Sequence, residues 1–153
     1  MGINFSKRVD IVSIKIVKEK SVKYENRRIS TPGDAQYLCR RFLEDSDREQ
    51  LIVVSLDTKN QPNTINVASI GSLNSSIVHP REIFKSAILS NANSIIIAHN
   101  HPSGNPTPSP QDIQFTKRME ECGEMMGIQL LDHIIVGDSG YISLREENFF
   151  ASE

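Results

Sequence analysis

Short apolar runs and amphipathic stretches alternate along the chain. Nearly continuous aliphatic runs predict strands that are covered on both faces, whereas apolar residues three and four positions apart predict helices that bury one side. The predicted strands are residues 51–57, 64–70, 94–98, 128–136 and 141–144. The predicted helices are residues 35–44, a segment that begins at His79-Pro80, and residues 112–126. We therefore expect an α/β fold, a mixed β-sheet flanked by helices, in which the second helix makes a β-α-β crossover.

The N-terminal part of the chain is locally basic. Residues 7–28 contain eight Lys or Arg against three acidic residues, although the whole chain has a net charge of -2. Alternation at residues 11–17 and 22–24 predicts strands whose solvent face carries the lysines. Lysines on an exposed strand edge discourage aggregation, and no row of aromatic residues accompanies them as it would in a surface for single-stranded nucleic acid. We therefore expect residues 10–28 to form basic N-terminal strands.

Two histidines follow the apolar run at residues 94–98. Successive side chains of a strand point to opposite faces, so His99 and His101 are expected to project to one side and Asn100 to the other. The sequence Ser109-Pro110-Gln111-Asp112 predicts a helix start with Ser109 as the N-cap, Pro110 at the first helical position and Asp112 in the first turn. Two imidazoles and one carboxylate are ligands of the kind that bind catalytic zinc, which keeps a position for water.

The composition limits the class of protein. A length of 153 residues fits one domain, with residues 49–148 as its metal-site core, and 38% hydrophobic with 24% charged residues is ordinary for a globular protein. Because no apolar run reaches about 20 residues and no signal-peptide pattern is present, we expect a cytoplasmic protein with no membrane segment. Cys39 and Cys122 lack a Cys-x-x-Cys spacing and are expected to be reduced thiols.

The histidine pair and the helix start together resemble a known motif. His99-x-His101, followed by Asp112 with Ser109 three residues before it, resembles the JAMM motif of the JAB/MPN+ metalloproteases. The similarity extends to the RadC-like branch, the DNA repair protein RadC family, over about residues 10–148. It is carried by residues 77–85, by His99-Asn-His-Pro-Ser-Gly104, by residues 108–112 and by Leu131-Asp-His-Ile-Ile-Val-Gly137.

This resemblance implies a cytidine-deaminase-like, three-layer α/β/α fold that binds Zn²⁺. His99, His101 and Asp112 match the ligand positions, and Ser109 matches the serine that polarises the substrate carbonyl. Glu49, just before the first hairpin strand, matches the glutamate that acts as general acid and base through water. Glu44 and Glu82 are the weaker alternatives for that role. The implied activity is hydrolysis of a peptide or isopeptide bond, with a protein or peptide as substrate.

Two other functional hypotheses stay open at this point. The family name suggests a DNA-associated repair or mobile-element protein, either a nuclease or a binding module. Net acidity and the lack of room for the helix-hairpin-helix region of full-length RadC proteins weaken the expectation of DNA binding. A metal-stabilised interaction module without catalysis is the second hypothesis, and exposed sheet edges would allow a homodimer. His133 is interpreted as a core or edge histidine and His79 as part of a helix start.

Overall fold

The computed structural model describes residues 2, 6–71 and 78–150, which form one sheet with helices on both faces. Helix α1 begins with a capping box, in which Thr31 Oγ1 accepts the Asp34 N–H and the Asp34 carboxylate accepts the Thr31 N–H. The helices are α1 (Pro32–Leu43), α2 (Pro80–Leu89) and α3 (Pro110–Met126). The strands are β1 (Gln50–Leu56), β2 (Pro62–Ile70), β3 (Ser94–Asn100), β4 (Gln129–Val136) and β5 (Tyr141–Ser143).

The five strands lie in the order β2-β1-β3-β4-β5. Strand β1 pairs antiparallel with both β2 and β3, so that β2 and β3 are parallel to each other across β1. The predicted β-α-β crossover through α2 is therefore confirmed. Strands β3 and β4 are direct parallel neighbours joined by α3, and β5 closes the sheet antiparallel to β4. The central position of β3 explains its seven buried residues.

Each face of the sheet has its own apolar core. On one face, Leu38, Cys39 and Leu43 of α1 pack against alternate side chains of β1, β3 and β4. On the other face, Phe84 of α2 and Met119 of α3 pack against the intervening side chains. The sheet is thus the middle layer of an α/β/α arrangement, as predicted. None of the helices within the described residues is both long and apolar enough to cross a membrane.

The predicted N-terminal strands are wrong. Over residues 6–28 the described chain forms no strand, because it runs without pairing to either edge of the sheet. Val9, Ile11 and Val12 have exposed side chains, at 91%, 101% and 74%, so the apolar positions of the alternating pattern have no core to cover. Only the later part of this segment contacts the domain, where Val22 and Tyr24 pack against the α1 side of the sheet. Alternation alone does not form a strand without a hydrogen-bonding partner.

Candidate metal centre

His99 and His101 lie at the end of β3 and point to the same face of the sheet. Their Nε2 atoms are 2.9 Å apart, and their rings have centroids 4.8 Å apart. The side chain of His99 is fully buried, whereas that of His101 is 16% exposed. His101 is the first residue after the strand, and its Nδ1 donates to the carbonyl oxygen of Asn105 at 2.8 Å. In the neutral ring this bond leaves a lone pair on Nε2, directed toward His99.

Asp112 reaches the two histidines from the N-terminus of α3. Ser109 is the N-cap, as predicted. Its Oγ accepts the Asp112 N–H at 3.1 Å, and Asp112 Oδ2 accepts the Ser109 N–H at 2.8 Å, which makes a reciprocal capping box. This local structure fixes the carboxylate in a buried position. Its Oδ1 lies 3.4 Å from His99 Nε2 and its Oδ2 lies 3.3 Å from His101 Nε2.

Glu49 completes the cluster from the residue before β1. Leu51 of β1 pairs with His99 of β3, and continuing this antiparallel register by two residues places Glu49 opposite His101. Glu49 Oε1 lies 3.8 Å from His99 Nε2, and its side chain is 19% exposed. Glu49, His99 and His101 each offer a ligand atom within 4.8 Å of the others, so these three residues could hold a metal ion.

Asn100 holds the backbone on both sides of Glu49. Its side chain points away from the histidines, as the alternation predicts, and its Oδ1 accepts the Gln50 N–H at 2.7 Å. Its Nδ2 donates to the carbonyl oxygen of Arg48 at 2.9 Å. The carbonyl of Glu49 itself accepts the Gly71 N–H at 2.7 Å. The residue between the two histidines therefore ties the segment that carries the glutamate to the strand that carries the imidazoles.

The cluster attracts positive charge. Burial opposes ionisation of Asp112, but its contacts with the imidazoles of His101 and His99 lower the pKa of this carboxyl below its usual range. The hydrogen bond with Asp112 raises the pKa of His101 despite its partial burial. The Asp112 carboxylate attracts a positive charge at His101 Nε2. Either a proton on that nitrogen or a metal ion bound to it would supply this charge.

Sequence comparison assigns the family. A family model described as a RadC-like JAB domain matches residues 29–149. The chain belongs to this family. The UPF0758 protein of Enterococcus faecalis is 65% identical over 122 residues, which are 78% of this chain and 53% of that protein. The UPF0758 protein of Methanosarcina mazei is 49% identical over 131 residues, 86% of this chain and 57% of that protein.

A third relative covers more of the chain. The UPF0758 protein of Clostridium acetobutylicum is 47% identical over 149 residues, 95% of this chain and 65% of that protein. The RadC-like chain thus spans between about half and two thirds of the length of these curated relatives. Their shared name states no activity and no substrate.

The alternative carboxylates lie away from the two histidines in this RadC-like domain. Glu44 is the exposed C-cap residue of α1, the helix that packs on the opposite face of the sheet. Glu82 lies in the first turn of α2 and forms an ion pair with Lys85 at 3.1 Å. His79 is the N-cap residue of α2, in agreement with its interpretation as part of a helix start. Of the three predicted candidates for the acid and base, Glu49 is the one in contact with the histidines, and its catalytic role stays a prediction, as does that of Ser109.

Two residues next to the centre were missed by the sequence interpretation. His133 is a buried core histidine, as expected, but its Nε2 lies 2.8 Å from His99 Nδ1. Its other nitrogen, Nδ1, lies 2.6 Å from Thr116 Oγ1. Burial, and then the neighbouring imidazole of His99, lower the pKa of His133 well below its ordinary value. Two features of the sequence could have predicted these residues. A second β-α-β unit requires that β3 and β4 be parallel neighbours, and Thr116 lies one helical turn after Asp112.

Proposed function

We propose that this RadC-like domain is a zinc-dependent hydrolase that cleaves peptide or isopeptide bonds of protein substrates. The observation that carries this proposal is the convergence of two imidazoles and two carboxylates on one point at the end of β3. His99 Nε2 lies 2.9 Å from His101 Nε2, 3.4 Å from Asp112 Oδ1 and 3.8 Å from Glu49 Oε1, and His101 Nε2 lies 3.3 Å from Asp112 Oδ2. Carboxylates accept hydrogen bonds and donate none when ionised, so a largely buried cluster of this composition needs a cation.

The spacing of the donor atoms suits zinc. Neighbouring ligand atoms of a tetrahedral zinc site with bonds of about 2.0 to 2.1 Å lie about 3.3 Å apart. The Nε2 atoms of His99 and His101 are 2.9 Å apart, and the oxygens of Asp112 lie 3.4 and 3.3 Å from them. These three residues would hold the ion and leave its fourth position for water, the arrangement of catalytic zinc.

The positions of Glu49 and Ser109 support roles for both in hydrolysis. When bound, zinc would polarise the substrate carbonyl and make the attacking water more acidic. Glu49 is partly exposed and lies beside His99, so its carboxylate takes the proton from the attacking water and passes it to the leaving amine. Ser109 Oγ accepts the Asp112 N–H and keeps its own proton, which it donates to the oxygen that becomes negative in the transition state.

Metal content tests the ligand assignment. Protein purified without added metal is analysed for zinc as wild type, His99→Ala, Asp112→Ala and Glu49→Gln. We expect about one zinc per chain in the wild type and in Glu49→Gln, and loss of zinc from the other two variants. Loss of zinc from Glu49→Gln would instead make Glu49 a ligand. Substoichiometric metal that none of the substitutions changes would contradict the hydrolase proposal.

Hydrolysis is then measured on peptides and on isopeptide-linked protein pairs. Glu49→Gln is expected to keep zinc and to lose about 100-fold or more in rate, because the amide cannot accept the proton. The matched control is Glu44→Gln, which makes the same chemical change on the opposite face of the sheet and is expected to act as wild type. Equal rates for wild type and Glu49→Gln would contradict the assigned role.

A further inference from the structure

A hydrogen-bond chain that passes through His133 and Thr116 connects His99 to the backbone of Asp112. Behind the metal-facing nitrogen of His99, its Nδ1 contacts His133 Nε2 at 2.8 Å, and His133 Nδ1 contacts Thr116 Oγ1 at 2.6 Å. Thr116 Oγ1 lies 2.7 Å from the carbonyl oxygen of Asp112 and donates to it. His99, Thr116 and His133 are all fully buried. The chain therefore begins at one proposed zinc ligand and ends at the main chain of another.

The hydrogen bond from Thr116 to the Asp112 carbonyl sets the direction of this chain. A threonine hydroxyl has one proton, and the Asp112 carbonyl oxygen can only accept. With that proton donated to the carbonyl, Thr116 Oγ1 accepts from His133 Nδ1–H. The two ring nitrogens of the fully buried His133 contact only a hydroxyl and another imidazole, and burial with no charged partner favours the neutral ring, so its Nε2 has a lone pair. That lone pair accepts the proton of His99 Nδ1, which leaves His99 Nε2 unprotonated and facing the cluster.

We propose that His133 and Thr116 are positioning residues that hold His99 in its Nδ1–H tautomer and so keep its Nε2 available to a metal ion. This inference rests on the proposed zinc site. The reversed chain, in which Thr116 donates to His133 and His133 donates to His99, would place a proton on His99 Nε2. Only the first direction is compatible with metal on that nitrogen, so zinc binding and the hydrogen bond from Thr116 to Asp112 stabilise each other.

The hydrogen-bond chain also links the positions of the two proposed ligands, His99 and Asp112. The carbonyl group that receives the Thr116 proton belongs to the residue whose carboxylate lies 3.4 Å from His99 Nε2. Rotation of the His99 ring would break its bond to His133, and a shift of the first turn of α3 would break the bond at Thr116. Hydrogen-bonding partners behind a metal ligand set both its orientation and its tautomer, and their loss typically weakens metal affinity by about 10- to 100-fold.

The test uses valine and serine at position 116. Thr116→Val keeps the shape of the side chain and removes the hydroxyl, whereas Thr116→Ser keeps the hydroxyl. Thr64→Val is the matched control, because the Thr64 hydroxyl is also buried but has no hydrogen-bond partner within the described residues. Zinc affinity is measured by competition with a chromophoric chelator, and the protonated nitrogen of His99 is read from ¹⁵N NMR of the metal-free protein. Far-UV circular dichroism confirms that each variant is folded.

We expect Thr116→Val to weaken zinc binding by about 10-fold or more, and Thr116→Ser and Thr64→Val to stay near wild type. The His99 proton should be on Nδ1 in the wild type and in Thr116→Ser. His133→Phe should weaken binding as well, and adding Thr116→Val to it should cause little further loss, since the two residues act through one path.

Two results would overturn the inference. The first is wild-type affinity in Thr116→Val, and the second is a proton on His99 Nε2 in the folded metal-free wild type. Either result leaves the proposed function standing if the wild type binds one zinc. Conversely, a wild type that binds no zinc contradicts the proposed function, while the NMR measurement still decides whether the hydrogen-bond chain sets the His99 tautomer.

Discussion

Gly137 faces the backbone of Gly104 so closely that a Cβ on Gly137 would lie 2.3 Å from the Gly104 carbonyl oxygen. The same carbonyl accepts the Asp138 N–H at 3.0 Å, and the Gly104 N–H donates to His101 O at 2.9 Å. Gly104 itself has a φ of +85°, which favours glycine. The turn after β4 therefore supports the loop after β3. The positive φ of Gly104, together with the Asp138 side chain that a Cβ on Gly104 would meet, accounts for the glycine of the His-Pro-Ser-Gly sequence.

Gly137→Ala should lower both stability and zinc affinity. The added Cβ meets backbone atoms and the Pro106 ring, which cannot move without displacing Asn105, whose carbonyl holds His101. We expect a loss of about 1 to 3 kcal/mol in the free energy of unfolding, measured by urea denaturation, and weaker zinc binding. Gly140→Ala is the control, because a Cβ there has no heavy atom within 4 Å. Equal stability of the two variants would contradict the close packing of the Gly137 turn against the loop that contains Gly104 and Pro106.

Asn100→Ala should loosen the Glu49 segment without removing the metal. The substitution removes the acceptor for Gln50 N–H and the donor to Arg48 O. Loss of one such bond is worth about 1 kcal/mol, so hydrogen exchange of the Gln50 amide should become roughly 5- to 10-fold faster. Zinc content should stay near one per chain. Asn66→Ala, at an exposed position of β2, should leave this exchange rate unchanged, and the same result for Asn100→Ala would contradict the positioning role.

Cys39 should be protected from alkylation in the folded protein. Burial, and then the negative field of Asp132, raise the pKa of its thiol to about 12, so the reactive thiolate is scarce at pH 8. Cys122 is only partly buried and should react first. Because folding raises the pKa of the Cys39 thiol, the folded protein loses stability as the pH rises above the ordinary pKa of a thiol. Iodoacetamide labelling with mass spectrometry checks the order, and equal labelling of both cysteines without denaturant would contradict it.

Residues 9–17 should contribute little to stability. Six apolar side chains in this stretch are at least 45% exposed, so a chain that begins at Lys18 should keep its free energy of unfolding within about 0.5 kcal/mol. Tyr24→Ala is the contrasting variant, because Tyr24 packs against the α1 side of the sheet and its truncation should be destabilising by about 1 kcal/mol. A large loss of stability on truncation would mean that the segment packs on the domain in solution.

The sequence predicted the parts of the site that depend on contacts within a single strand or helix. Alternation along β3 predicts that His99 and His101 share a face, and the Ser109–Asp112 capping box fixes the carboxylate within one helical turn. His133 comes close to His99 only because β3 and β4 are parallel neighbours with a set register, which residue types within one segment do not reveal. The error at residues 10–28 has the same origin, since a strand depends on a partner elsewhere in the chain.

The antiparallel register between β1 and β3 has a consequence for refolding. Leu51 pairs with His99, and a slip of one residue would turn every side chain of β3 to the opposite face of the sheet. His99 would then point away from α3. The apolar residues on both faces of β3 would tolerate such a slip better than the histidines would. With zinc bound at the proposed site, the amount of metal per chain would therefore measure the fraction of molecules whose central strands are correctly aligned. Circular dichroism would not distinguish these molecules from misaligned ones that are also folded.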